Sequence, residues 1–268
     1  MYIRSNIHAH SNWSDGKDAM EAVIESAIEK GFHTIGLSDH SFVPVVAEYC
    51  IPKGKEHAYR QKLEEMKAAY AGRIDVLAGI EFDYDGYVPE ETYDYVIGSV
   101  HNLNIGGKLY EVDHDPPHFQ ALLDACGGSS LEVAKRYYAS LTEHTLRVKP
   151  DVLGHFDLLT KFSMVEYSDA YWYCAEEAVK AILPAVKVVE VNTGAMSRGW
   201  RQEAYPADPI LRLIRSLGGD LILSSDSHQA QHVDYAFDET VERLRGLGFT
   251  SVKEMTKQGF QDVPIFCA

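Results

Sequence analysis

The chain has 268 residues, 46% of them hydrophobic, and a formal charge of −15 at pH 7. That length and apolar content suit one large globular domain, residues 1–268, with a substantial core. The acidic balance excludes the basic footprint that nucleic acid or an anionic membrane surface requires, but not a small anionic substrate, because bound cations reverse the local sign of a site.

Seven candidate strands, mostly short β-branched or apolar runs, alternate with helices. Ile3–Ile7 comes first and ends in His8-Ala9-His10. Asp18 to Lys30 reads as a helix, with Met20, Val23, Ile24, Ala27 and Ile28 on one face and Gly31 closing it. Thr34–Leu37 leads into Ser38-Asp39-His40. A charged amphipathic helix from Glu56 to Tyr70 follows, then Asp75–Ile80 before Glu81, and Tyr95–Ser99 before His101. Residues 102–128, with Gly106-Gly107 and Pro116-Pro117, read as an irregular insertion forming a lid or rim. Ser130 is expected to cap a helix reaching Val148, where Pro150 forbids continuation. Val152–Gly154 leads to His155, and Asp169–Ile182 is helical. Val186–Val191 is the one strand with no ligand-type residue directly after it. Asp208-Pro209 opens a helix that Gly218-Gly219 ends. Leu221–Ser224 leads into Asp226-Ser227-His228, and Val233 to Leu247 is the last helix.

Strands with little polar alternation are the mark of parallel strands buried on both faces. Strand–helix alternation then implies right-handed crossovers in a parallel sheet. An open doubly wound sheet fits the count. A closed or nearly closed α/β barrel fits better, because six of the seven strands deliver a ligand-type residue, and only a barrel brings all strand ends to one point. Cys50, Cys126, Cys174 and Cys267 form no paired motif and read as reduced thiols. No signal peptide or apolar stretch of membrane-spanning length is evident, so a soluble cytoplasmic protein is expected, its oligomeric state open.

On a strand, residues two apart share a face, so His8 and His10 can chelate one ion. A single histidine near a strand end is more often structural than a ligand. Here six of the twelve histidines, His8, His10, His40, His101, His155 and His228, lie at expected strand ends. Asp15, Glu81 and Asp226 fall in the same layer. Nine ligands exceed what one ion takes, whereas two or three ions with shared carboxylates use them naturally. Mixed imidazole and carboxylate ligation suits Zn, Mn or Fe. His33 lies at the opposite end and reads as structural. His57 and His144 are expected to be exposed on helices. His114 and His118 fall in the insertion, and His232 begins a helix.

These stretches resemble the PHP (polymerase and histidinol phosphatase) superfamily: His8-Ala9-His10 with Asp15-Gly16, Ser38-Asp39-His40, Gly79-Ile80-Glu81-Phe82-Asp83, Gly98-Ser99-Val100-His101, Gly154-His155-Phe156-Asp157 and Ser224-Ser225-Asp226-Ser227-His228. Within it, Ser38-Asp39-His40-Ser41, Gly98-Ser99-Val100-His101 and Glu190-Val191-Asn192 look like the monofunctional bacterial histidinol-phosphate phosphatases. The resemblance implies an irregular (β/α)7 barrel, TIM-like, with a trinuclear centre. It assigns His8, His10, Glu81 and Asp226 to one ion, Glu81, His101 and His155 to a second, and Asp15, His40 and His228 to a third. Many members carry histidine where this chain has Asp15. Asp39 and Asp157 are expected to orient neighbouring imidazoles.

The implied reaction is hydrolysis of a small phosphomonoester, L-histidinol phosphate, by a hydroxide bridging two ions, with no protein nucleophile. A PHP phosphoesterase for nucleotides or other small phosphomonoesters is the alternative. Three divalent ions, three carboxylates and one hydroxide leave a formal charge of about +2, which a phosphate dianion neutralises. Arg198, in the loop after the sixth strand, is the expected phosphate-binding catalytic residue, with Arg201 and Lys17 as further phosphate contacts. Asp113, with Glu111 and Tyr110, suits the imidazole and ammonium of such a substrate. Ser38, Ser99 and Ser227 read as hydrogen-bonding residues rather than nucleophiles.

Overall fold

A computed structural model describes residues 3–44, 47–87 and 91–266. Its main sheet joins, in spatial order, β1 (Ser5–Asn6), β2 (Thr34–Leu37), β3 (Asp75–Asp83), β4 (Tyr95–Ser99), β7 (Val152–Leu153), β8 (Val188–Asn192) and β9 (Leu221–Ser224), all parallel. Between β4 and β7 the chain forms a separate hairpin, β5 (Asn102–Ile105) and β6 (Lys108–Glu111). The sheet curls until the segment beyond β1 meets the segment beyond β9. A parallel bridge joins Ala9 to Ser227, with the His10 N–H donating to the Ser227 carbonyl at 2.9 Å. The architecture is thus a TIM-like α/β barrel closed at the end where the strands finish.

At the other end a second hairpin fills the gap. β10 (Ser251–Thr256) runs parallel beside β9 and antiparallel to β11 (Gly259–Pro264). Its Glu254 carboxylate accepts from the Arg4 N–H and from His33 Nε2, which accounts for His33 as a structural residue. This hairpin is absent from the expected elements. Its strands are mostly polar, with apolar side chains only at Val252, Met255, Phe260, Val263 and Pro264, so they lack the continuous apolar runs of the buried strands.

The helices are α1 (Met20–Glu29), α2 (Glu56–Ala69), α3 (Pro116–Ala125), α4 (Ser130–Val148), α5 (Asp169–Ile182), α6 (Gly194–Ser197), α7 (Asp208–Ser216) and α8 (Phe237–Gly246). Their apolar faces join the outward-facing strand residues Ile35, Val76, Ile80, Val189 and Leu223 in the main core. A smaller cluster fills the barrel: Ile7, Leu77, Tyr95, Ile97, Val152, Val188, Ile222 and Met255. Tyr95 spans it and donates its hydroxyl to the Ile7 carbonyl at 2.5 Å.

Several expectations need correction. Residues 102–128 are largely regular: Gly106 and Gly107, at φ +62° and +88°, make the two-residue turn of the β5–β6 hairpin. Pro116-Pro117 starts α3 instead of marking a loop, with Asp115 capping it from the His118 N–H at 2.8 Å. Ser129, not Ser130, caps α4, accepting from the Glu132 N–H. The last helix begins only at Phe237, after a 3-10 turn and a left-handed Ala236. His144 is buried, not exposed, because it lies on the stripe of α4 that includes Tyr137 and Leu141. Its Nε2 donates to the Phe82 carbonyl at 2.9 Å. Cys50, Cys126 and Cys174 form no disulfide, and Cys267 lies outside the described residues. Among the described residues no helix is long and apolar enough to cross a membrane.

Candidate metal centre

Strand alternation decides which side chains reach the closed end of the barrel. Leu77, Gly79, Glu81 and Asp83 share the inward face of β3. Tyr95, Ile97 and Ser99 line up on β4, with His101 next in the series. Val188, Glu190 and Asn192 do so on β8, and Ile222 and Ser224 on β9, with Asp226 following. Along each strand the lower residues are mainly apolar and fill the barrel. The upper ones are polar and converge.

Glu81 stands at the middle of this layer. Its Oε2 lies 2.9 Å from His40 Nδ1, 3.2 Å from His8 Nε2 and 3.5 Å from His10 Nε2. Its Oε1 lies 3.0 Å from His155 Nε2, 3.4 Å from His101 Nε2 and 2.7 Å from the donating Ser99 hydroxyl. Asp226 Oδ1 is 3.1 Å from His10 Nε2, 3.7 Å from His8 Nε2 and 3.6 Å from His228 Nδ1. Asp15 reaches His228 Nε2 at 3.1 Å, His40 Nε2 at 3.7 Å and His10 Nδ1 at 3.8 Å. All nine expected ligand residues therefore meet in one place. Three sets bring their donor atoms within 4.8 Å of one another: His8, His10 and Asp226; His40, Glu81 and His101; and His10, Asp15, His40 and His228.

These spacings fit cations. Ligands about 2.0–2.1 Å from a tetrahedral zinc sit about 3.4 Å apart. His8 Nε2, both nitrogens of His10, His40 Nδ1 and Glu81 Oε2 are buried yet make no hydrogen bond. Leaving a buried polar atom so costs about 1–3 kcal/mol, and a divalent ion shared among them removes the cost. Proton affinities carry the same message. Burial disfavours charge on His8, but the carboxylates of Glu190, Glu81 and Asp226 outweigh it and raise its pKa well above the usual value. Burial would lift Glu81, yet His40, His8 and His101 hold it well below the carboxylate range. Burial, with His228 and His40, drives His10 down to about 3. The site attracts positive charge but cannot protonate every imidazole.

Two carboxylates that the sequence reading quoted only as motif residues, with no role assigned, orient the imidazoles. Glu190 accepts from His8 Nδ1 at 2.5 Å, so His8 Nε2 is left to face Glu81 and Asp226. The same carboxylate accepts from the His155 N–H at 2.8 Å, Asn192 Nδ2 at 2.9 Å and the Ser224 hydroxyl at 2.5 Å. Asp83 holds His101 Nδ1 at 2.6 Å. The available signal was a carboxylate inside an apolar strand, Val188-Val189-Glu190-Val191, and a second two residues after Glu81 on the same face.

Asp39 and Asp157 do not touch imidazoles. Alternation turns Asp39 away from the side of His40, and it gathers the 11–14 loop by accepting from the Ser11 N–H at 2.8 Å and the Ser14 hydroxyl at 2.6 Å. Gly16 closes that loop; a Cβ there would stand 2.6 Å from the His10 carbonyl carbon and the Ser11 nitrogen. Asp157 lies where the chain turns into a 3-10 helix and accepts from the Ala207 N–H at 3.0 Å.

A cavity of about 730 Å³ opens onto the centre, lined by ligand residues together with Glu48, Tyr49, Glu111, Asp113, Lys161 and Arg198. Arg198 is held by His228 Nδ1 at 2.9 Å and by Asp226 at 3.3 Å. Lys17 and Arg201 do not line it. Lys17 sits exposed on the outside of the Gly16 turn. Arg201 bonds Thr160 and stacks on the Tyr205 ring at 4.5 Å. Asp113 lines the cavity but is paired with Lys161 Nζ at 2.9 Å. Lys161, just past the turn that follows His155, is a cavity cation that sequence reasoning overlooked.

A model of the PHP domain matches residues 6–194 of the chain. A protein of Schizosaccharomyces pombe named probable histidinol-phosphatase is 26% identical over 94% of this chain and 89% of its own length. A probable histidinol-phosphatase of Deinococcus radiodurans is 29% identical over 85% and 87%. The crystal structure of histidinol phosphate phosphatase from Lactococcus lactis, complexed with zinc, L-histidinol and phosphate, shares the fold with a TM-score of 0.72. It is 19% identical, covering 96% of this chain and 98% of that one.

Proposed function

The chain belongs to the PHP domain family, and on that premise we propose that it is a metal-dependent phosphomonoesterase that hydrolyses L-histidinol phosphate to L-histidinol and phosphate. One observation carries the reading: nine imidazole and carboxylate side chains, Glu81 at their middle, meet beside an arginine at the end of one cavity. Relatives named for this activity match along nearly their whole length, and one structure of this fold holds zinc, L-histidinol and phosphate.

Two to three divalent ions, zinc, manganese or iron, are the implied cofactors. His8, His10 and Asp226 would hold one with Glu81. Glu81, His101 and His155 would hold a second, and Asp15, His40 and His228 a third. Such ions supply Lewis acidity toward phosphate oxygens and bring the pKa of water to about 7. The chain's own residues do the positioning. Glu190 and Asp83 fix two imidazoles. Arg198, tethered before any substrate arrives, offers a planar fork to phosphate oxygens. The 102–128 insertion contributes Glu111, Asp113, His114 and His118 to the cavity wall, and we read it as a lid over the substrate. With Asp113 paired to Lys161, Glu48 gives the cavity acidic surface suited to an ammonium group.

Initial rates of phosphate release from L-histidinol phosphate and from nucleoside monophosphates, with zinc or manganese present, test the proposal. A preference for histidinol phosphate of at least about tenfold in kcat/KM is expected. Preference for a nucleotide would overturn the substrate and leave the metal centre standing.

A further inference from the structure

Beyond the main centre, the cavity mouth carries a second group of metal-ligand side chains: His114, Asp115 and His118, at the start of α3, bring donor atoms within 4.8 Å of one another, and Glu111 at the end of β6 faces both imidazoles. Glu111 reaches both imidazoles at once. Its Oε1 lies 3.5 Å from His114 Nδ1 and its Oε2 lies 3.5 Å from His118 Nε2. The two rings stand 4.5 Å apart at their centroids. Each N···O separation is close to the roughly 3.4 Å spacing of neighbouring ligands on a tetrahedral zinc, with one carboxylate oxygen turned to each imidazole.

The arrangement around His118 repeats the one inside the barrel. There, His101 gives Nδ1 to Asp83 and turns Nε2 to Glu81, and His8 gives Nδ1 to Glu190 and turns Nε2 to Glu81. At the mouth, His118 gives Nδ1 to Asp115 at 2.6 Å and turns Nε2 to Glu111. A carboxylate behind an imidazole fixes the tautomer that leaves Nε2 as a ligand. The backbone supports the set. Asp115 caps α3 through the His118 N–H, and the Val112 N–H donates to the His101 carbonyl at 2.8 Å, tying this rim to the main centre.

We propose that Glu111, His114 and His118 form a separate, solvent-open site for a divalent transition metal ion at the cavity mouth, distinct from the buried centre. Both imidazoles are about half exposed, so a fourth coordination position is open to water. Two nitrogens and one carboxylate with an open position suit Zn²⁺ or Co²⁺ better than Mg²⁺ or Ca²⁺, which favour oxygen ligands. The inference does not depend on the identity of the substrate.

Enzyme with its buried centre filled is titrated with Zn²⁺, and in parallel with Co²⁺, by equilibrium dialysis. Native protein is expected to take up one further exchangeable ion per chain. The His114→Ala/His118→Ala protein should lose that uptake while keeping its buried ions. Asp115→Asn keeps the helix cap but weakens the acceptor behind His118, so the added ion should bind about tenfold more weakly. Bound Co²⁺ should give a tetrahedral visible spectrum that vanishes in the double variant. Equal uptake by native and double-variant proteins, or no uptake beyond the buried centre in the native protein, would overturn the proposal.

Discussion

Replacing Glu190 with Gln changes one oxygen to an amide nitrogen in a side chain that makes no contact with the cavity opening. Glu190 accepts four hydrogen bonds, from His8 Nδ1 and Ser224 on one oxygen and from the His155 N–H and Asn192 on the other. A glutamine faces a donor pair with its own NH₂ group whichever way it turns. Turned toward His155, it opposes a backbone N–H that cannot rotate away. Turned toward His8, it forces Nδ1 to accept, moving the ring proton to Nε2 and taking that nitrogen out of the ligand set. An unmatched buried donor costs about 1–3 kcal/mol. Removing a carboxylate behind a metal-binding imidazole costs about 10- to 100-fold in metal affinity or activity, about 1.4–2.8 kcal/mol. The two routes agree in size. The assay is kcat together with bound metal as a function of added zinc, with unfolding by urea alongside. Lowered occupancy that excess zinc partly restores, with kcat recovering in step, is expected. Native metal affinity and native kcat in this protein would refute the argument.

Arg198→Ala should cut kcat or raise KM by about tenfold or more, the loss of a charge-assisted phosphate contact; unchanged steady-state kinetics would remove Arg198 from the site. Gly16→Ala forces a Cβ against backbone at 2.6 Å, where no flexible side chain can give way. It should shift Asp15, lower metal occupancy by elemental analysis, and destabilise the protein by about 1–3 kcal/mol. The pH dependence of the chelated protein follows from His101. Burial opposes its charge, but Glu81 and Asp83 outweigh that and push its pKa up to about 10. A pKa raised on folding adds stability that is complete below the unfolded value near 6.5 and lost as pH climbs through the folded one. His8 and His40 shift the same way. Stability to urea without metal should therefore fall between pH 6.5 and 10, and metal loading at pH 7.5 should release protons into a weakly buffered solution. A rise in stability over that range would contradict the assignment.

The barrel was legible because its strands are mostly apolar runs, all but the sixth followed by a residue whose chemistry stands out. His8, Glu81, His155 and Asp226 could be gathered by assuming only that strand ends converge. What escaped notice depends on register and on turns. Glu190 and Asp83 look like misplaced charges until alternation sets them on the same inward face as the ligands. Arg201 sits close to Arg198 in sequence, but a left-handed Gly199 separates them and Arg201 ends against Tyr205. His144 has the local surroundings of an exposed helical residue, and only the packing of α4 on the barrel reveals its burial. The β10–β11 hairpin closes the barrel's far end through Glu254, a tertiary contact with no local signal.

Metal analysis of the purified protein, paired with phosphate release before and after chelation, tests the central claim most directly. Two to three zinc, manganese or iron ions per chain are expected, with hydrolysis lost on chelation, restored by added metal, and absent with reduced metal content in Glu81→Gln. Fewer than one ion per chain, with no hydrolysis after zinc or manganese is added, would contradict the account, as would full activity in Glu81→Gln.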